Sequence, residues 1–295
     1  MEERVIDLSE EPADMSVRHR QLVIRQANRE VTTPLEELAV LVVSHPAVRF
    51  THAVLSGLCA NGGTFVLCDE KRMPVGMLLP LEGHFVQTER FAAQAQASAP
   101  TKKQVWKQVV RAKILAQGHL LQILRGHDFG LSALAKKVRS GDPVNLEAQA
   151  SRRYWPALFG AEFRRHPRIP DQNRLLNYGY AVLRAIVARA VCAAGLHPSL
   201  GVHHHNRYDA FCLADDLMEP FRPLIDCVVA KLVEERGIDV PVDKETKAAL
   251  IGALIDHRHM VDGEQRTLFD LLARTANSLA MIFLGKRKKL FLPVL

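Results

Sequence analysis

Apolar and polar residues alternate along RQLVIRQ (20–26) and TFVLCDE (64–70), and LAVLVVS (38–44) is a short unbroken apolar run. Alternation sends successive side chains to opposite faces, so these segments predict strands. Asn61-Gly62-Gly63, Met73-Pro74 and Pro80 supply turn material between them. One helix is predicted to interrupt the strands within VRFTHAVLSGLCANGG (48–63). Residues 82–100 lose periodicity and end in AAQAQASAP, which reads as a linker.

From Lys102 onward the period becomes helical, as in WKQVVRAKILAQGHLLQIL (106–124). DPVNLEAQASRRYWPALFG (142–160) predicts a helix with Asp142 as its N-cap and Pro143 at the first helical position. DQNRLLNYGYAVLRAIVARAVCAAGL (171–196) predicts a long helix capped by Asp171 and stopped at Gly195. It is apolar around most of its circumference and should lie at the centre of its domain. FRPLIDCVVAKLVEER and TKAALIGALIDHRHM continue the helical pattern. The fold class expected is therefore α+β. A small N-terminal, sandwich-like β domain (1–90, with a linker to about 100) precedes a large all-α domain (101–295).

At 295 residues, 48% of them hydrophobic and 6% aromatic, the chain has ample material for a core. The formal charge of +7 and pI near 9.3 suggest an anionic partner without saying which. The five cysteines are scattered with no CxxC, so neither a zinc site nor a disulfide framework follows. The acidic start MEERVIDLSEEP lacks the features of a signal peptide, and no run suggests a membrane span. A cytoplasmic protein with no membrane partner is expected.

The chemistry concentrates in HHHNRYDAFCLADDLMEPFR (203–222). Asp216-x-x-Glu219 before Pro220 fits a capping box, Arg222 fits an i,i+3 pair with Glu219, and Asp215 fits a solvated surface acid. In an extended segment His204 faces away from His203 and His205, so at most one or two of the run can serve one ion. Glu147 suits the first turn of a helix through the dipole alone. Its helical neighbours Ala150 and Ser151 are nevertheless small, with the Tyr154 phenol at the rim. A loop histidine with carboxylates from two helices is also a ligand set for a hard or borderline divalent ion, Mg²⁺ or Mn²⁺, that keeps open positions. The residues alone leave capping and metal binding both open.

Three stretches in order resemble the integrase family of CRISPR adaptation, in a type II-like form. They are NLEAQASRRYWPALFG, NRLLNYGYAVL and GLHPSLGVHHHNRYDAFCLADDLMEPFRPLID, with the N-terminal β pattern leading to GMLLP in support. The resemblance implies Glu147, His204 and Glu219 as catalytic metal ligands for Mg²⁺ or Mn²⁺. His204 is the choice because the family's histidine follows leucine-glycine by two intervening residues, as here after Leu200-Gly201. Asp216 corresponds to a supporting acid and Arg222 to a basic residue on the DNA side, while His203 and His205 remain possible assistants to His204.

The resemblance further implies spacer insertion by attack of a DNA 3′-hydroxyl on repeat phosphodiesters. Protospacer and repeat DNA are the implied substrates. The protein would act as a homodimer joined to a small adaptation protein in a heterohexamer-like complex. Arg152, Arg153, Arg164, Arg165 and the Lys286–Lys289 run would serve phosphate contacts. A nuclease acting on branched or single-stranded DNA without joining, and a non-catalytic DNA-bridging subunit, are the competing expectations.

Overall fold

The computed structural model describes residues 3–69, 74–256, 258–261 and 263–293; the turn expected at Met73 lies outside them. The strands are β1 (Arg4–Leu8), β2 (Asp14–Arg18), β3 (Gln21–Gln26), β4 (Arg29–Pro34), β5 (Leu38–Val43) and β6 (Arg49–Phe50). Helix α1 (His52–Ala60) precedes β7 (Thr64–Cys68) and β8 (Pro74–Leu78). They form two sheets, one in the order β1-β5-β7-β8 and one in the order β4-β3-β2-β6. In the first, β1, β5 and β7 are parallel and β8 runs antiparallel to β7. In the second, β2, β3 and β4 form a meander and β6 joins β2 in parallel.

The unbroken apolar run of β5 has a physical reason: both of its faces are buried. Leu41 and Val43, with Phe65 of β7, pack against Met15, Leu22 and Ile24 of the second sheet. Ala39, Val40 and Val42, with Val66, belong instead to the core of the helical part. From Val40 onward successive residues point to opposite faces, after a register shift against β1 at Ala39, so one strand serves two cores.

The stretch read as a linker carries α2 (Gln87–Ala95). Its buried residues are Arg90 and Gln94, so no apolar period announced it. Arg90 donates to the Ala194 carbonyl at 2.7 Å, and Gln94 donates to the carbonyls of His197 and Leu200 at 2.9 Å. Next come α3 (Ala99–Arg125), capped by the Ser98 hydroxyl and stopped at Gly126 in the left-handed region, and α4 (Leu131–Lys136).

Helix α5 (Leu146–Phe159) begins later than expected, with Asn145 as N-cap. Asp142 acts from outside the helix, its carboxylate accepting the N–H groups of Leu146 and Glu147 at 2.9 and 3.0 Å. Gln172, not Asp171, is the N-cap of α6 (Asn173–Ala193), although the Asp171 carboxylate accepts the Asn173 N–H at 2.8 Å. Gly195 follows α6 at φ +63°. The remaining elements are α7 (Cys212–Met218), α8 (Arg222–Arg236), α9 (Lys244–Ile255), the hairpin β9 (Arg258–Val261) and β10 (Glu264–Thr267), and α10 (Leu268–Phe283). The helical part thus also holds a two-stranded hairpin.

Helix α6 is the centre of the helical part, as its composition predicts. It touches α7, α8, α9 and α10 and the inner face of β5 and β7. It is long and apolar enough to cross a membrane, but 72% of that window is buried inside the fold. Each of its buried aliphatic side chains, such as Leu176, Leu183 and Ile186, contributes about 1.5–3 kcal/mol. Gly179 has a specific task here: a Cβ at that position would lie 2.5 Å from Ile225 Cγ2 on α8. Only glycine lets α6 and α8 approach this closely.

Candidate active site

Helices α3, α5 and the α7–α8 junction converge on one buried ammonium. Lys113 of α3 lies 2.5 Å from Glu147 Oε1 and 2.6 Å from Glu219 Oε2. Glu147 stands in the first turn of α5, its backbone N–H fixed by Asp142. Glu219 opens a tight 3-10 turn, Glu219–Phe221, that joins α7 to α8, and is only 4% exposed. Its second oxygen, Oε1, lies 3.0 Å from Arg222 Nη2. Burial alone would push the Glu219 carboxyl up, but Arg222 and Lys113 outweigh it and hold the acid below its ordinary value. Burial likewise opposes the Lys113 ammonium, and the carboxylates of Glu219 and Glu147 reverse this, so the lysine stays charged.

Asp216 is not the cap of a capping box. It lies within α7 and is fully buried, and its carboxylate is aimed at the histidine loop. It accepts the N–H groups of Val202, His203 and His204 at 2.6, 3.0 and 3.2 Å, and the Nδ1–H of His204 at 2.7 Å. The loop can fold this tightly because residue 201 is glycine; a Cβ there would meet the His204 carbonyl at 2.4 Å. The hydrogen bond to Asp216 raises the His204 pKa, and both Glu219 and Glu147 contribute to the same shift. With Nδ1 held, Nε2 is the ring nitrogen left for a ligand. His203 instead stacks flat on Trp106, 4.0 Å between centroids and 2° between planes. His205 is exposed.

Several expectations change. Asp215 is not solvated; it is buried and receives two hydrogen bonds from Arg184, at 2.6 and 2.8 Å. Tyr154 is not at the rim. It is fully buried and donates to Asp226 at 2.7 Å, and Tyr180 donates to the other oxygen of that carboxylate. Arg222 does pair with Glu219, and its guanidinium also lies 4.6 Å from the Tyr180 ring centroid. Arg165 is occupied by Asn173 and Asn177, whose side-chain oxygens each accept from it at 2.8 Å. Arg152, Arg153, Arg164 and the Lys286–Lys289 run are exposed.

Lys113 escaped the sequence reading although a signal existed. It falls in the buried stripe of α3 with Trp106, Val109, Val110 and Gln117, where a lysine has no apolar reason to be.

Among the described residues, no three His, Cys, Asp or Glu side chains form a ready metal-binding group. The donor chemistry nevertheless fits a divalent cation. Two carboxylates from separate elements already share one cation, and the Glu219 oxygen that faces it, Oε2, is buried. The neighbouring imidazole is oriented by a buried carboxylate, an arrangement common behind metal ligands. Arg165, Arg184, Arg222, Tyr180 and Tyr208 line an adjacent cavity of about 470 Å³.

Residues 7–256 match the sequence profile of the family described as CRISPR associated protein Cas1. A CRISPR-associated endonuclease Cas1 from Neisseria meningitidis serogroup C (strain 8013) is 40% identical over 243 residues, covering 81% of this chain and 79% of that protein. A casposase bound to integration product has a similar structure (TM-score 0.81, 19% identity), covering 98% of this chain and 92% of that one. So does a chain of a Cas6-RT-Cas1–Cas2 complex (TM-score 0.78, 18% identity), over 98% of this chain and 36% of that one. The profile match spans most of the chain, and the chain belongs to the Cas1 family of CRISPR-associated proteins.

Proposed function

We propose that this protein is a metal-dependent DNA endonuclease and integrase that inserts new spacers into a CRISPR array. The observation that carries the reading is the meeting of Glu147 and Glu219 on one cation beside the Asp216-oriented His204. In this reading Glu147, Glu219 and His204 Nε2 hold a Mg²⁺ or Mn²⁺ ion; Mn²⁺ tolerates the imidazole and Mg²⁺ prefers the oxygens. When bound, the ion polarises a phosphoryl oxygen and offsets charge developing on the leaving group.

The chain's own residues then divide the work. Asp216 fixes the loop and the His204 tautomer. Arg222 keeps Glu219 ionised and aimed. The basic cavity beside them suits a phosphate-bearing strand, and the overall positive charge favours DNA at long range. In joining, a DNA 3′-hydroxyl displaces a repeat 3′-oxygen, so one phosphodiester replaces another and no enzyme-bound intermediate is required.

Homodimer formation and assembly with a small adaptation partner, Cas2, complete the proposal. The named Cas1–Cas2 complex among its structural neighbours supports that partner. The test supplies a pre-cut protospacer with free 3′-hydroxyls, a repeat-bearing plasmid and Mn²⁺ or Mg²⁺. Joined product supports the integrase. Cleavage alone would leave a nuclease, and binding alone a bridging subunit.

A further inference from the structure

We propose that Lys113 is a resident counterion of the Glu147–Glu219 pair, standing between the two carboxylates and giving way when a divalent cation binds. The inference rests on the metal reading above and adds a residue to it.

Charge is the first reason. Lys113 and Arg222 against Glu147 and Glu219 sum to zero in a mostly buried space, with Lys113 only 8% exposed. The Lys113 ammonium stands between the two carboxylates, where a bound cation would also have to stand. A dication added to an unmoved Lys113 and Arg222 would set four positive charges against two negative ones. In a space of low effective dielectric one cation must then leave.

Mobility decides which. Arg222 is planar, paired to Glu219 at 3.0 Å and set against the Tyr180 ring. Lys113 carries a point charge on a flexible four-carbon stem and can retract. Among the described residues its ionic partners are the two glutamates themselves, so no other carboxylate holds it in place.

The experiment compares wild type, Lys113→Met and Lys113→Arg by calorimetric titration of the metal-free protein with MnCl₂, without DNA, and by thermal melting with and without Mn²⁺. Lys113→Met should melt about 5 °C or more below wild type without metal, because removing one member of a buried ion pair strands the others. It should bind Mn²⁺ at least about tenfold more tightly, since no ammonium competes. Lys113→Arg, with a fork that cannot retract as freely, should bind Mn²⁺ more weakly than wild type.

Equal Mn²⁺ affinity in all three proteins overturns the counterion role and leaves the metal site standing. No Mn²⁺ binding by wild type or Lys113→Met overturns the metal reading and the inference together. Binding that survives Glu147→Gln places the ion elsewhere and also overturns it. If Lys113→Met does not fold, Lys113→Arg decides alone, an affinity equal to wild type being the overturning result.

Discussion

His204 donates from Nδ1 to Asp216 at 2.7 Å, and the same carboxylate gathers three successive backbone N–H groups of the loop that carries the histidine. The loop and the ring are therefore set by one buried acid. Asp216→Ala should cost about 2–4 kcal/mol, because it leaves several buried or part-buried donors unpaired. Joining should be lost along with it. Denaturant unfolding with an integration assay checks both. A variant as stable as wild type would mean that water replaces the carboxylate and that the loop does not depend on Asp216.

Glu147→Ala, Glu219→Ala and His204→Ala should each abolish joining in the presence of Mn²⁺, but not with equal effects on stability. Glu219→Ala leaves both Lys113 and Arg222 without their shared partner, so its melting point should fall most. Glu147→Ala leaves Lys113 still paired with Glu219. His204 is a half-exposed ring, and its loss should cost least. His203→Ala should keep substantial activity, since that ring packs on Trp106, and so should His205→Ala. Normal joining by any of the first three would remove that residue from the site.

Much of this arrangement was legible in the chain, and the limits have physical causes. Helices α3, α5, α6 and α8 follow from periodicity because each buries a wide apolar stripe. Helix α2 did not, because its buried face is polar and its partners are backbone carbonyls far away in sequence. Asp216 and Glu219 have capping-box spacing, yet α7 starts four residues before Asp216, a boundary that local sequence does not fix. The long-range polar pairs were beyond reach for the same reason. Tyr154 and Tyr180 meet Asp226, and Tyr178 meets Asp7 at 2.6 Å, only after the helices and sheet have packed. Those bonds, with the Gly179–Ile225 approach, give a structural sense to NYGY.

Asp226 supplies a pH-dependence. It is 1% exposed, and burial pushes its carboxyl from 3.8 up to about 6, with the Tyr180 and Tyr154 hydrogen bonds opposing the shift. A folded-state pKa above the unfolded one means that the native protein holds this proton more tightly. The stability from this group is thus fully present below about pH 4 and lost as pH rises through about 6, a change of about 3 kcal/mol. Asp226→Asn carries no such proton. The stability difference between wild type and Asp226→Asn should therefore shift against wild type between pH 4 and pH 7, as measured by urea unfolding. A difference that stays constant across that range would show that Asp226 titrates normally in the fold.

Arg222 can serve Glu219, DNA or both, and two independent readouts separate the roles. Its guanidinium pairs with Glu219 at 3.0 Å and sits against Tyr180, so Arg222→Ala should lower stability by about 1–3 kcal/mol. That exceeds the few tenths expected of an exposed i,i+3 pair, because here the partner acid is buried. Arg222 also lines the basic cavity with Arg165 and Arg184. Arg165 is engaged by two asparagines and Arg184 by Asp215, which makes Arg222 the member of the three that touches a proposed metal ligand. If it reaches a phosphate beside the site, Arg222→Ala should weaken DNA binding across sequences and reduce the salt slope of log affinity by about one. DNA affinity measured at several salt concentrations, beside melting curves of the same preparations, reads both effects. A lowered melting point with an unchanged slope would confine Arg222 to holding Glu219, and the DNA contact would have to be sought elsewhere in the cavity.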